Sequence, residues 1–177
     1  MIFGKNEFRH KLEASRDRLY RVAYSWCHDP ALADDLVQTT MVKALRSAKQ
    51  LRNGYAMDAW LYRILANSWR NHLSRTREMV SLDDSLYESQ LSITEDFGRE
   101  EIVDRVRAAI AQLPLGQREA ITLVVVAGFS YAEIAEILSI PIGTVMSRIC
   151  RARQALKERL QDLHAERRDD IRLRRIK

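Results

Sequence analysis

Cross-links, kinks and tight turns have little to work with in this chain of 177 residues, which holds 2 cysteines, 3 prolines and 6 glycines. Cys27 and Cys150 each fall inside a helical pattern, which suits a reduced, half-buried side chain and leaves no disulfide framework. Cys27 and His28 are adjacent, but no second Cys/His cluster at ligand spacing joins them, so no metal site is expected. Few glycines and prolines, with abundant Ala, Leu, Arg and Glu, predict an all-helical protein. Long apolar runs are missing too. Runs such as Ile121 to Ala127 are far too short to span a bilayer. The charged N-terminus, MIFGKNEFRHK, lacks the apolar region of a signal peptide. These two absences predict a cytoplasmic protein. No phosphate-binding glycine loop, nucleophile motif or metal spacing is present, so neither an enzyme nor a cofactor is expected.

What the chain does have is charge of both signs, unevenly placed. Against an overall net charge of +5, residues 1–76 carry +6, residues 77–101 carry −6 and residues 102–177 carry +5. Two basic blocks flanking an acidic strip imply two surfaces suited to a polyanion. The strip itself, REMVSLDDSLYESQLSITEDFGREE, is the least periodic part of the chain. It reads as a flexible linker, residues 77–100, between two small helical domains, because long structureless loops are uncommon inside one compact domain.

A hydrophobic fraction of 46% is enough for packed cores. In the first domain, residues 1–76, a helix from Glu7 to Trp26 places Leu12, Leu19, Val22, Ala23 and Trp26 near one face. A break at His28-Asp29-Pro30 follows. A second helix runs from about Ala31 to Lys49, with Asp34 and Asp35 in its first turns, favourable to the helix dipole. After the loop LRNGY, a third runs from about Asp58, a good N-cap, to Arg75. In the second domain, residues 101–163, Ile102, Val106, Ala109, Ile110 and Leu113 mark an amphipathic helix that Pro114 ends. Gln117 to Ala127 forms another, closed by Gly128. Residues 164–177 are a basic tail, read as solvated.

The most specific segment is SYAEIAEILSIPIGTVMSRICRARQALKERL, from Ser130 to Leu160. Ser130 and Glu133 make an S-x-x-E capping box, which predicts a helix start at Tyr131. Pro141 and Gly143 break that helix, and Thr144 is placed to cap the next through its hydroxyl. Val145, Ile149, Ala152, Leu156 and Leu160 then recur on one face, with Arg148, Arg151, Arg153, Lys157 and Arg159 off it. This is the layout of a helix-turn-helix, whose second helix enters the DNA major groove.

Together these pieces resemble the extracytoplasmic-function (group IV) sigma factors of bacterial RNA polymerase, from about Tyr20 to Leu160. ALADDLVQTTMVKAL resembles the family's polymerase-binding helix, and DAWLYRILANSWRNHLSR the helix that opens and reads the minus-ten element. LPLGQREAITL with the helix-turn-helix resembles the minus-thirty-five reader. All three in this order, in so short a chain, are highly specific. The resemblance implies an all-α fold of sigma regions 2 and 4 that directs core RNA polymerase to promoters and initiates transcription. It implies core-polymerase contacts at Asp35, Leu36, Gln38 and Thr39, although Thr39 stands where many members have Glu. It implies minus-ten DNA contacts from the loop residues Arg52, Asn53 and Tyr55 and the helix residues Arg63, Asn67, Arg70 and Asn71. Aromatic residues and cations on one helix suit unpaired bases and their phosphates, although Trp60, beside Leu61 and Ile64, reads as core. The minus-thirty-five contacts fall to Thr144, Met146, Ser147, Arg148 and Arg151, with Met146 where several members carry Arg or Lys.

An anti-sigma factor is the further implied partner, able to hold the protein at the inner membrane although the chain itself has no membrane segment. The linker fits a chain that holds both promoter elements: about 24 extended residues reach up to about 80 Å, and promoter elements about 17 base pairs apart are separated by about 58 Å. Two other readings stay open on the residues alone. One is a conventional helix-turn-helix regulator, which leaves the aromatic-basic helix unexplained. The other is a sigma-like decoy for an anti-sigma protein, which has no need of the retained arginines and asparagines.

Overall fold

The computed structural model describes residues 5–51, 57–80 and 99–161, and all of the regular structure there is helical. The helices are α1 (Lys5–Cys27), α2 (Pro30–Ser47), α3 (Met57–Val80), α4 (Arg99–Ala111), α5 (Leu115–Val125), α6 (Tyr131–Leu138) and α7 (Ile142–Arg159), with one 3₁₀ turn at Ala48–Gln50. The linker, the basic tail and the loop bearing Arg52, Asn53 and Tyr55 lie outside the described residues, wholly or nearly so.

Local chemistry sets the helix ends. His28 adopts a left-handed backbone (φ 54°) that stops α1. Asp29 then caps α2, its Oδ1 accepting from the amides of Ala31 at 2.8 Å and Leu32 at 3.0 Å, with Pro30 at the favoured first helical position. The dipole-capping role expected of Asp34 and Asp35 therefore belongs to Asp29. Asp34 instead pairs with Arg16 of α1 at 3.0 Å. Asp58 is likewise not the N-cap of α3: it lies one residue inside and takes both ends of the Arg18 guanidinium, at 3.1 and 3.3 Å. The capping box at α6 forms in full, and Glu133 is held below the usual carboxylate range by the Ser130 hydroxyl and amide. At α7 the helix begins three residues earlier than expected. Pro141 occupies the cap, Gly143 sits in the first turn, and the Thr144 hydroxyl caps nothing.

Helices α1, α2 and α3 pack as one bundle around Leu12, Leu19, Val22, Trp26, Val37, Leu61 and Leu65, all essentially buried. Helices α5, α6 and α7 pack around Leu123, Ile134, Ile137, Val145 and Ile149, with α4 beside them. The two bundles are not separate. Their apolar side chains form one continuous cluster, with α3 against α6 and α1 against α4 and α5. Tyr62 of α3 meets Phe129, just before α6, edge to face with centroids 4.9 Å apart. Arg118 of α5 donates to the carbonyl of Trp26 in α1 at 2.7 Å while also holding the carbonyls of Ala111 and Leu113 in its own bundle.

Candidate promoter and polymerase interfaces

Three helices carry the residues singled out by sequence. On α2, Asp35, Gln38 and Thr39 are exposed, whereas Leu36 is buried at 4% exposure and packs inward. The outward apolar groups are instead Val42 and Leu45, 45% and 46% exposed. Positions 35, 38, 42 and 45 follow helical spacing, so these four side chains form one stripe of mixed acidic, polar and apolar character. Val42 and Leu45 were not singled out by sequence, because apolar residues on a helix give no sign of which face meets solvent.

On α3, Arg63, Asn67 and Asn71 are exposed at i, i+4 and i+8, a polar row along one face. Arg70 is not on it. Its guanidinium donates to the carbonyl of Leu138 at 2.7 Å, capping the C-terminus of α6, where Ser139 turns into the left-handed region. Arg63 reaches Glu136 of the same helix at 3.9 Å, an exposed and weak pair. The aromatic residues of α3 face inward. Tyr62 is 3% exposed and its hydroxyl is pushed up to about 12, chiefly by desolvation. Trp69 is buried and stacks on His72, with centroids 5.9 Å apart. Trp60 is partly buried beside Phe8.

On α7, at about 100° per residue, Ser147, Cys150, Arg151 and Gln154 share one quadrant opposite the buried Val145, Ile149 and Ala152. Cys150, Arg151 and Gln154 are exposed, so Cys150 is not the half-buried side chain expected. Met146 projects beside them, 53% exposed. Ser147 is half-buried and its hydroxyl donates to the Thr144 carbonyl at 3.0 Å. Arg148 departs from this face: its guanidinium lies over Gly116 of α5, 2.7 Å from where a Cβ there would stand. Sequence reasoning placed Arg148 with the readers because its partner is more than 30 positions away. Gln154, not singled out by sequence, donates to Glu158 of the same helix at 2.6 Å.

One turn beyond Gly116, Glu119 is 4% exposed, and its Oε1 has no hydrogen-bond partner among the described residues. Burial pushes its pKa up, and Arg70, Arg148 and Arg118, in that order, act against that rise. At the neighbouring turn between α1 and α2, His28 is pushed down to about 4, first by burial and then by Arg118. The Cys27 thiol is raised, mainly by burial, and points at the Asp29 carbonyl 3.2 Å away. Among the described residues no cluster of His, Cys, Asp or Glu could hold a metal ion, and no helix is long and apolar enough to cross a membrane.

A bundle with an exposed mixed stripe and a polar row, beside a helix-turn-helix, defines the class of a sigma factor. Residues 12–78 match Sigma-70 region 2 and residues 104–156 match Sigma-70 region 4. The chain is 36% identical over 151 residues to the RNA polymerase sigma-H factor of Pseudomonas aeruginosa, covering 78% of each. It is 34% identical to the ECF RNA polymerase sigma factor EcfG of Rhodopseudomonas palustris, covering 85% of this chain and 83% of that one. Among solved structures, it resembles the sigma factor RpoE in complex with the anti-sigma factor NepR from Bartonella quintana (TM-score 0.80, 31% identity, 88% of this chain and 98% of that one). It also resembles CnrH in complex with the cytosolic domain of CnrY (TM-score 0.65, 26% identity, 90% of each). The chain belongs to the extracytoplasmic-function family of RNA polymerase sigma factors.

Proposed function

We propose that this sigma factor divides its work between two units: residues 1–76 bind core polymerase and read and melt the minus-ten element, and residues 101–163 read the minus-thirty-five element. The observation that carries this reading is the pair of exposed faces, one on each unit: Arg63, Asn67 and Asn71 on α3, and Cys150 and Arg151, beside the half-buried Ser147, on α7. Asparagine amides can hydrogen-bond base edges, and arginine pairs bidentately with guanine in the major groove. The stripe of Asp35, Gln38, Val42 and Leu45 on α2 is the core-polymerase surface of this scheme. Its buried Leu36 supports the helix from inside. Arg70 and Arg148 serve DNA only after leaving their present partners. Arg52, Asn53 and Tyr55 stay in the scheme as the minus-ten loop.

The solved relative RpoE was captured with the anti-sigma factor NepR, and we extend that mode of control to this chain. Its two units would be the surfaces that such a partner masks. Run-off transcription with purified core polymerase on a genomic fragment library tests the whole reading. Discrete transcripts starting a fixed distance from a shared bipartite element are expected. Duplex binding without polymerase-dependent transcripts would replace it with a conventional regulator.

A further inference from the structure

The outward face of α7 carries two strips of different chemistry. At about 100° per residue, Ile142, Met146 and Cys150 fall within about 80° of arc, and Thr144, Ser147 and Arg151 occupy the next sector. The second strip is polar. The first is apolar and open to solvent: Ile142 is 50% and Met146 53% exposed, and Cys150 is a free, exposed thiol. Between the strips stands Gly143, where a side chain would meet nothing within 4 Å. The first turns of α7 are therefore clear for close approach.

The core does not account for the apolar strip, because Val145, Ile149 and Ala152 meet the core from another side of the helix. Isoleucine has no group that hydrogen-bonds a base edge, and the sulfurs of methionine and cysteine do so only weakly. The major groove nonetheless displays one apolar group, the C5-methyl of thymine, which apolar side chains contact. At about 1.5 Å per residue the strip is about 12 Å long, which matches about three and a half base-pair steps of about 3.4 Å. Charge favours DNA as its occupant. Arg151, Arg153 and Lys157 are exposed around its C-terminal end, cations suited to the phosphates that flank a groove. With Arg148 turned over Gly116, Arg151 is the arginine of these first turns that projects outward. Hydrogen-bonded readout therefore belongs to the polar strip, and the apolar strip beside it needs another target.

We propose that Ile142, Met146 and Cys150 are specificity-determining residues that recognise thymine C5-methyl groups in the minus-thirty-five element, while Arg151 hydrogen-bonds beside them. The proposal rests on the promoter-reading role of α7 argued above and names the chemical group that this face selects. Met146, at the middle of the strip, and Cys150, one turn on, reach deepest along it. Such a surface tells thymine from uracil, which a purely hydrogen-bonding reader treats alike.

The test uses the full chain bound to core polymerase, on a promoter found by run-off transcription. Each thymine of the minus-thirty-five element, on either strand, is replaced in turn by deoxyuridine, which pairs as thymine does and lacks only the methyl. Promoter occupancy by the wild type, read by competition binding, is expected to fall about four-fold at one or more positions, as for one buried methylene. Met146→Ala and Cys150→Ser are expected to bind the unmodified promoter several-fold more weakly. Each is also expected to lose the response to deoxyuridine at the thymine it touches, a coupling that a purely structural role does not produce. Both side chains are exposed, so melting temperatures are expected to stay at the wild-type value. Wild-type occupancy unmoved by every deoxyuridine, or two variants that respond to deoxyuridine as the wild type does, would overturn the proposal. Weaker binding of Met146→Ala to core polymerase without DNA, with deoxyuridine silent, would also overturn it and assign the strip to a protein partner. Transcripts from the unmodified promoter in any of these cases leave the promoter role standing. No transcripts from a bipartite element on any fragment would remove that role, and the methyl recognition with it.

Discussion

At the scale of single residues, Arg148 and Arg151 show how two arginines three positions apart on one helix come to differ. Arg151 projects to solvent, and Arg148 lies over the missing side chain of Gly116. Arg151→Ala is expected to lower minus-thirty-five affinity by about 1–3 kcal/mol, the cost of a bidentate base contact, with the melting temperature unchanged. Arg148→Ala is expected to lower the melting temperature as well, because it strips a cation from beside Glu119. Fluorescence anisotropy with thermal melting separates the two. His28 makes a pH prediction. Its folded pKa of about 4 lies below the unfolded value of 6.5, so the unfolded chain binds the extra proton between them. Its contribution is complete above pH 6.5 and is lost as pH falls towards 4. Asn tolerates the left-handed backbone at this position, so His28→Asn is expected to melt with a shallower loss of stability between pH 6.5 and 5. Neither distinction was legible in the sequence: a helical stripe places a side chain on a face but does not say what stands opposite it.

Elements were more legible, because their signals are local. The Ser130–Glu133 box, Gly128 at the end of α5 (φ 77°) and the apolar stripes of α1, α3 and α7 all took the form expected of them. Ser130→Ala is expected to cost about 1 kcal/mol through the lost cap, which chemical denaturation would show as a lower midpoint with an unchanged slope. Where element boundaries were misread, a second option of equal local quality won. Asp29 caps α2 because it precedes Pro30 at the first helical position, and α7 starts at Ile142 because Pro141 brings one amide fewer to satisfy and a φ already near the helical value. Asp58 was available to Arg18 only because α1 and α3 pack together, which no window of neighbouring residues records.

For the whole molecule, the all-helical fold was legible from composition and periodicity, but the packing of α3 on α6 and of α1 on α5 was not. Phe129 gave no signal of its own in the sequence, and Tyr62 read as a base-stacking candidate; each finds its ring partner in the other bundle. A continuous apolar cluster joins the two bundles. Calorimetry is therefore expected to give a single transition for the wild type. Phe129→Ala is expected to separate it into two, the later belonging to the bundle without the lesion.

The uncovered α2 stripe and the drawn-in arginines also bear on how the factor is shared out in a cell. A genome offers on the order of 10⁶–10⁹ non-specific sites to any basic protein, and a net charge of +5 invites capture by them. A chain that holds Arg70 on the end of α6 and Arg148 over Gly116 offers that reservoir fewer cations than its charge implies. On the proposed reading of the α2 stripe as the core-polymerase surface, its potency would be governed by how many copies are free to reach core enzyme rather than by how tightly each copy grips DNA.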